Sequence, residues 1–385
     1  LVGSEMCIRD RGVSRYLTIE EMMQGYAEVD GLTKNTLYAV NLYDTSKPRK
    51  YDKPYNQVTF RTAGPSAISI QVGLEDDLSA MLLDNDVDPE VPEGTEYYLP
   101  AGSSYRVTPF SLMKGFRLAG SRDGVKPVVV LEGSWSIAEG SYLSSLEFDN
   151  IEFRHEANNN YFMNTSKAYT IENVSFVNCD FISLRRGFWR HQSANAKYIM
   201  NLEMEGCRFE GCGWQTSAYG AFNLQSFDKD NGVSYDQVDR AIFRNCTFSN
   251  DNDGTNGYGW GNLFYAPYMD KPIDLEYKNV TIYNYSRNQR LINIESAVGS
   301  KLVMEGILLA SPCGDLFAIG ANTTTTFSNN YTTADYTLGG KNMNATDLKI
   351  TAAELFADPA NGDLTIKDIS SPIVSNRAGD TRWLP

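Results

Sequence analysis

Asn178-Cys-Asp-Phe181 is one copy of an arrangement that recurs along the middle of the chain: Asn or Gly, then a small apolar residue, then a large one. Further copies stand at Asn150-Ile-Glu-Phe153, Asn173-Val-Ser-Phe176, Gly206-Cys-Arg-Phe209, Asn245-Cys-Thr-Phe248 and Asn279-Val-Thr-Ile282. Degenerate copies follow at Gly306-Ile-Leu-Leu309 and Asn329-Asn-Tyr-Thr332. Most are separated by roughly two to four dozen residues, the period range of solenoids. Each copy is short and alternates in polarity, often behind an apolar lead-in such as Leu275-Glu-Tyr-Lys278. That is the period of a strand, not of a helix. A strand that returns once per coil and bends at Asn or Gly predicts a parallel β-helix. The Asn or Gly supplies the left-handed bend, and stacked Asn side chains can hydrogen-bond to one another.

Composition sets the outer limits. The 385 residues are enough to bury a large core. Aromatic residues make up 12%, with 23 Tyr and 5 Trp, which suits either a stacked β core or sugar-facing platforms. A net charge of −14 argues against a nucleic-acid partner, which requires a basic footprint. No apolar run reaches the length of a membrane span. Cys179, Cys207 and Cys246 share one position of the repeat. They are expected to stack as small buried hydrophobes, and nothing in their spacing demands a disulfide. Zinc on Cys207, Cys212 and His191 is disfavoured, because the chain has two His and lacks a second paired Cys motif.

Outside the repeat the chain changes character. Residues 1–11 (LVGSEMCIRDR) resemble a translated sequencing adapter, so they carry no fold information on this reading and the natural start is expected to lie elsewhere. In residues 12–63, Leu32-Thr-Lys-Asn-Thr-Leu-Tyr38 precedes the alternating strand Ala39-Val-Asn-Leu-Tyr43, and a polar turn leads to Val58-Thr-Phe-Arg-Thr62. This half-domain resembles the closing strands of a fibronectin type III sandwich, with Tyr38 in the tyrosine-corner position. Gly64-Pro65 reads as a linker, and residues 64–385 as the β-helix with a C-terminal tail from about 332. Leu74, Leu78, Met81 and Leu82 recur at helical spacing behind Glu75, Asp76 and Asp77. That predicts a helix capping the first coil, with acids in its first turn. The polar stretch Asn322 to Asn330 reads as a loop or a frayed coil.

Tyr97-Tyr-Leu-Pro-Ala-Gly102, Gly115-Phe-Arg-Leu-Ala-Gly120 and Lys126-Pro-Val-Val-Val-Leu131 resemble, in that order, the opening coils of pectin-lyase-like right-handed β-helices. With the fibronectin-like leader and the closing Ala378-Gly-Asp-Thr-Arg-Trp383, nearly the whole chain after Arg11 resembles surface proteins of glycan-degrading Gram-negative bacteria. Those pair a fibronectin type III module with a pectate-lyase-like β-helix and end in Gly-Asp-Pro-Arg-Trp; Thr381 stands here in place of the Pro. The resemblance implies secretion, a surface lipoprotein, and polysaccharide-uptake proteins as neighbours. It implies no catalytic set.

Three stretches are candidates for chemistry. Between Asp180 and Glu203 the chain carries no acid, yet it holds Arg185, Arg186, Arg190, His191 and Lys197. Arg forks bind carboxylates, Trp189 could stack on a sugar face, and Arg186, Arg190 or His191 could serve as a base in an eliminating lyase. A solvated loop with its Arg paired to neighbouring acids accounts for the same residues. Asp228-Lys-Asp-Asn-Gly232 sets Asp228 and Asp230 on a tight turn, and Asp251 and Asp253 repeat the pattern. Such turns can hold Ca2+ or simply be solvated. Thr255-Asn-Gly-Tyr-Gly-Trp-Gly-Asn262 offers Tyr258 and Trp260 either as sugar platforms or as anchors over the coil. The expected function is binding of an extended acidic polysaccharide in a lengthwise groove. A polysaccharide lyase or glycoside hydrolase and a structural adhesin module are the rivals.

Overall fold

A computed structural model describes residues 4–8, 13–24, 27, 37–44, 56–61, 68–155, 161–184, 186–213, 220–250, 262–284, 290–310, 317–336 and 343–385. The chain divides into two compact units, Leu1–Ile68 and Ser69–Pro385.

The smaller unit contains a four-stranded antiparallel sheet. Leu37–Asp44 pairs with Asn56–Arg61 on one side and with Ser4–Ile8 on the other, and Val13–Tyr16 closes the edge. The adapter-like residues therefore supply a strand of this sheet. A short helix, Ile19–Gln24, starts with a reciprocal cap in which Thr18 Oγ1 accepts from the Glu21 amide and Glu21 Oε2 from the Thr18 amide.

The larger unit is a right-handed parallel β-helix with three faces. Sheet I has ten strands, from Ser69–Gln71 at one end, through Ser141–Asp149, Tyr169–Val177, Lys197–Glu205 and Asp236–Arg244, to Thr324–Ser328. Sheet II also has ten, from Ser104–Val107 to Ala345–Asp347. Sheet III has six: Tyr161–Thr165, Gly187–His191, Gly220–Leu224, Asn262–Tyr265, Ile292–Ile294 and Phe317–Ile319.

The repeat makes the corner between sheets I and II. Asn150, Asn178, Asn245, Asn279 and Asn329 have φ between 48° and 55°, and Gly206 and Gly306 have φ 64° and 66°. Asn tolerates this left-handed conformation best among residues with a side chain. The side chains also tie coils together, with Asn178 Nδ2 donating to Asn150 Oδ1 at 2.6 Å and Asn150 Nδ2 to Ser121 O at 2.7 Å. Asn173-Val-Ser-Phe176 is a false copy. It lies inside the strand Tyr169–Val177, where Asn173 forms an exposed ladder with Asn201. Its four residues match the pattern by alternation alone, with no bend.

The aromatic excess is mostly core. Rings one coil apart lie parallel: Phe153 and Phe181 at 5.5 Å, Phe181 and Phe209 at 4.7 Å, Phe209 and Phe248 at 4.8 Å, and Phe243 and Tyr277 at 4.5 Å. In-register stacking of like residues is what a parallel coil enforces. Cys179, Cys207, Cys212 and Cys246 are buried and unbridged. Cys207 and Cys212 each point a thiol at a backbone carbonyl, Phe176 O and Phe181 O, both at 3.3 Å.

The capping helix spans Leu78–Val87, later than its periodicity suggested. Asp77 is its N-cap, accepting from the Ala80 amide at 3.1 Å, while Asp76 accepts from the Gly73 amide at 2.7 Å. The acids therefore form the turn before the helix, and Leu74 is left 66% exposed. Leu78 and Leu82 enter the core, and buried Asp86 receives the Met113 and Lys114 amides of the first coil, both at 3.0 Å. At the far end, the stretch read as a loop is the closing strand of sheet I, with Thr324 to Thr326 exposed. A polar terminal strand blunts a sheet edge that would otherwise recruit another chain.

The tail folds back over the outside of sheet II. Leu355, Phe356, Leu364, Ile366 and Ile373 form a second apolar cluster with Tyr283, Leu308 and Tyr331. The closing motif pins it. Gly379 has φ 79°, and a Cβ there would sit 2.8 Å from Thr281 Oγ1. Asp380, 2% exposed, accepts from Thr247 Oγ1 at 2.7 Å and pairs with Arg382 at 2.9 Å. Trp383 Nε1 donates to Thr247 Oγ1 at 2.7 Å, and Arg382 also donates to the Gly206 carbonyl at the corner. Asn178, Glu205, Asn245 and Thr381 line an open cavity of about 510 Å³ beside this clamp.

No helix of the described residues is long and apolar enough to cross a membrane.

Candidate functional site

Excursions between strands border sheet III: residues 225–235 follow its strand Gly220–Leu224, and residues 266–273 follow Asn262–Tyr265. Loops framing one face of a rigid scaffold are where a ligand would be held. Strand register brings one residue per coil to a shared position on this sheet: Asn164, Arg190, Asn223, Tyr265 and Asn293. Asn164, Arg190 and Tyr265 are half-buried, while Asn223 and Asn293 are buried. Asn164 Oδ1 and Asn223 Nδ2 find no hydrogen-bond partner among the described residues. Buried polar atoms rarely stay that way.

Arg190 sits within a specific local arrangement. The Arg190 guanidinium lies 5.3 Å from the Tyr161 ring centre, and that of Arg186 lies 5.6 Å from the same ring. The Tyr161 ring rests on Gly187 of the next coil, where a Cβ would approach to 2.7 Å. Gly187 thus makes room for the ring, and the ring supports two half-buried cations at about 0.5–1 kcal/mol each. Tyr161 and Gly187 are absent from the sequence-level site; only the Gly interrupting Arg185-Arg-Gly-Phe-Trp-Arg190 hinted at them.

Two of the expected site residues are not on the surface. Trp189 is 0% exposed and packs at 6.5 Å from Phe188 in the core, so it presents no face to a sugar. His191 is likewise 0% exposed. In sequence, "Arg-Arg-Gly-Phe-Trp-Arg-His" read as one exposed loop, but residues 187–191 form a strand whose side chains largely turn inward. The pair instead builds a polar chain beneath the face. Trp189 Nε1 donates to Tyr169 Oη at 3.2 Å, and Tyr169 Oη lies 2.6 Å from His191 Nε2. His191 Nδ1 lies 2.6 Å from Asp236 Oδ1, and Asp236 Oδ2 accepts from the Ser226 amide at 2.6 Å. One tautomer satisfies every link: the Tyr169 hydroxyl donates to Nε2, and Nδ1–H donates to Asp236. Burial pushes the His191 pKa down, which keeps the ring neutral, although the Asp236 charge opposes that. Lys197, the nearby cation, is lowered to about 8, again by burial.

The calcium reading does not fit the described residues. Asp228 spends its carboxylate inside its own turn, accepting from the Asp230 amide at 2.9 Å, the Asn231 amide at 3.2 Å and Asn231 Nδ2 at 2.7 Å. Those bonds hold its pKa below the usual range. Asp230 is exposed, Asp236 faces the buried His191, and Asp239 takes the Tyr198 hydroxyl on sheet I. No three His, Cys, Asp or Glu side chains among the described residues gather as a metal site. Arg185, Tyr258, Trp260, Asp251 and Asp253 lie outside the described residues.

Sequence reasoning also missed an aromatic pair bordering sheet III. Phe227 and Tyr268, on the excursions after adjacent strands, stack at 4.2 Å and 13°. Beyond them Arg290 pairs with Glu295 at 3.2 Å. Compared with models of known protein families and with curated proteins, the chain matches none.

Proposed function

We propose that the outer face of sheet III binds an extended, acid-bearing polysaccharide, with Arg186 and Arg190 holding a carboxylate and Asn164 and Tyr265 contacting sugar hydroxyls. The observation that carries this reading is the register that sets Arg190 between Asn164 and Asn223, then Tyr265, on consecutive coils. A guanidinium offers five donors in a fork that matches a carboxylate. Amide and phenol groups both give and accept hydrogen bonds, as a row of hydroxyls requires. The half-exposed pair Phe227 and Tyr268 supports the reading as apolar surface beside the row.

The resemblance of the chain to surface glycan-handling proteins motivates two attendant proposals: a cell-surface location, and a fibronectin-like leading unit. The location is tested by protease treatment of intact cells, which should remove the protein.

Native gels cast with acidic polysaccharides test the function. Retardation of the intact chain, weakened severalfold in Arg190→Gln and by added salt, is the expected result. Equal mobility of both proteins across a broad glycan panel would remove the proposal. Release of unsaturated sugar ends during incubation would identify an eliminating enzyme on the same face.

A further inference from the structure

We infer that the cavity beside the C-terminal clamp holds one neutral sugar unit, seated in a gap that Gly206 leaves in the Asn ladder. The bend residues of four consecutive coils, brought into line by sheet I, are Asn150, Asn178, Gly206 and Asn245. As far as Asn178, each amide side chain bonds to the coil before it. Asn150 Nδ2 donates to Ser121 O at 2.7 Å, and Asn178 Nδ2 to Asn150 Oδ1 at 2.6 Å. Gly206 ends that series. Asn150 Oδ1 accepts a bond from the next coil, whereas Asn178 Oδ1 accepts none among the described residues. On the far side of the gap Asn245 Nδ2 turns to Glu205 Oε1 at 2.6 Å. A Cβ on Gly206 would meet nothing closer than 3.8 Å. Asn178, Glu205, Asn245, Thr381 and Arg382 line the open cavity of about 510 Å³ there, within the roughly 300–1,000 Å³ of small-ligand sites.

The lining is rich in acceptors. Glu205 is half-buried and has no cationic partner among the described residues, where its side chain accepts only from Asn245. Glu205 and Asn178 are adjacent, because the Asn178 amide donates to the Glu205 carbonyl at 2.8 Å. A free cation is a poor donor to them, since the Arg382 guanidinium lines the same cavity, and an anion would meet Glu205. Asp380 leaves that balance unchanged, because it pairs with Arg382 at 2.9 Å. A neutral ligand bearing several hydroxyls satisfies both conditions. One hydroxyl takes the place of the missing amide on Asn178 Oδ1, and its neighbour on the sugar ring donates to Glu205. Bonds to a charged acceptor are the stronger kind, so Glu205 is the anchor. Thr381 Oγ1 reaches Asn245 Oδ1 only at 3.4 Å and can donate to a ligand hydroxyl instead.

The test titrates the full chain, Gly206→Asn and Glu205→Gln with the methyl glycosides of glucose, galactose, mannose and xylose, read by saturation-transfer NMR. The expected result is saturable binding of at least one glycoside by the parent chain. It should weaken about tenfold in Gly206→Asn, whose added amide continues the ladder into the gap, and severalfold in Glu205→Gln, which keeps an acceptor and loses the charge. Gly206→Asn should retain the parent's urea midpoint, so that lost binding reports a filled site and not a lost fold. Should it misfold, Glu205→Gln decides alone. Binding of no glycoside, or equal binding by all three proteins, would overturn the inference. So would a midpoint raised by calcium chloride alone and restored to the parent value in Glu205→Gln, which would make the gap a cation site. None of these outcomes touches the sheet III reading, because the cavity lies at the corner between sheets I and II.

Discussion

At the residue scale, the corner between sheets I and II shows which part of the pattern carries meaning. The bend needs positive φ, and Asn or Gly fills it on seven coils. Gly206 is informative because a Cβ there would meet nothing closer than 3.8 Å, so only backbone conformation limits substitution. Gly206→Asn should leave stability within about 0.5 kcal/mol, since Asn already holds the same place on adjacent coils. Gly206→Val should cost about 2 kcal/mol, because a β-branched residue is strained in that region. Urea unfolding of the two variants distinguishes this from simple crowding, which would penalise both. A second residue-scale expectation concerns His191. Its folded pKa lies below 6.5, so the unfolded chain takes up a proton that the folded chain refuses. Stability should fall as pH drops through 6.5, by up to about 1.4 kcal/mol per pH unit from this group. His191→Gln should flatten that slope; an unchanged slope would mean that other groups govern the acid limb. Sequence could not place His191 inside, because strand 187–191 turns most of its side chains inward where simple alternation would have exposed half.

At the element scale, strands were legible wherever a bend residue marked them, and poorly legible elsewhere. Thr324–Ser328 has a single apolar residue, Phe327, and read as a loop or a frayed coil, yet backbone bonds to Lys301–Glu305 make it a strand. The helix beginning at Leu78 was legible through its apolar spacing, but its start was set by the Asp77 cap and not by Leu74. The tail was recognisable by its closing motif and opaque in its role. Side chains explain it: Gly379 fits where a Cβ would strike Thr281, and Asp380, Arg382 and Trp383 bond to sheet II and the corner. Asp380→Ala should therefore cost about 3 kcal/mol, because it removes the carboxylate that pairs with Arg382, accepts from the Arg382 amide and accepts from the buried Thr247 hydroxyl. Hydrogen exchange should speed up over residues 352–385 in this variant, while sheet III keeps its protection. Equal loosening of both would place the tail inside the cooperative unit of the solenoid.

At the scale of the whole molecule, the sequence specified a coil and left open which of three faces would matter. Composition gave the aromatic excess but not its location, and the column of Phe rings shows that most of it is structural. Of the charge reversal, Arg186 and Arg190 are half-buried, while His191 and Lys197, like Trp189, are buried. What singles out sheet III is the row through Arg190 beside the stacked Phe227 and Tyr268, a juxtaposition that depends on register and cannot be read along one dimension. The most direct measurement is an experimental structure of the chain soaked with an acidic oligosaccharide. The account predicts density lying along sheet III with the carboxylate at Arg190 and Arg186. Density confined to sheet I or the tail cavity, with sheet III bare, would contradict it.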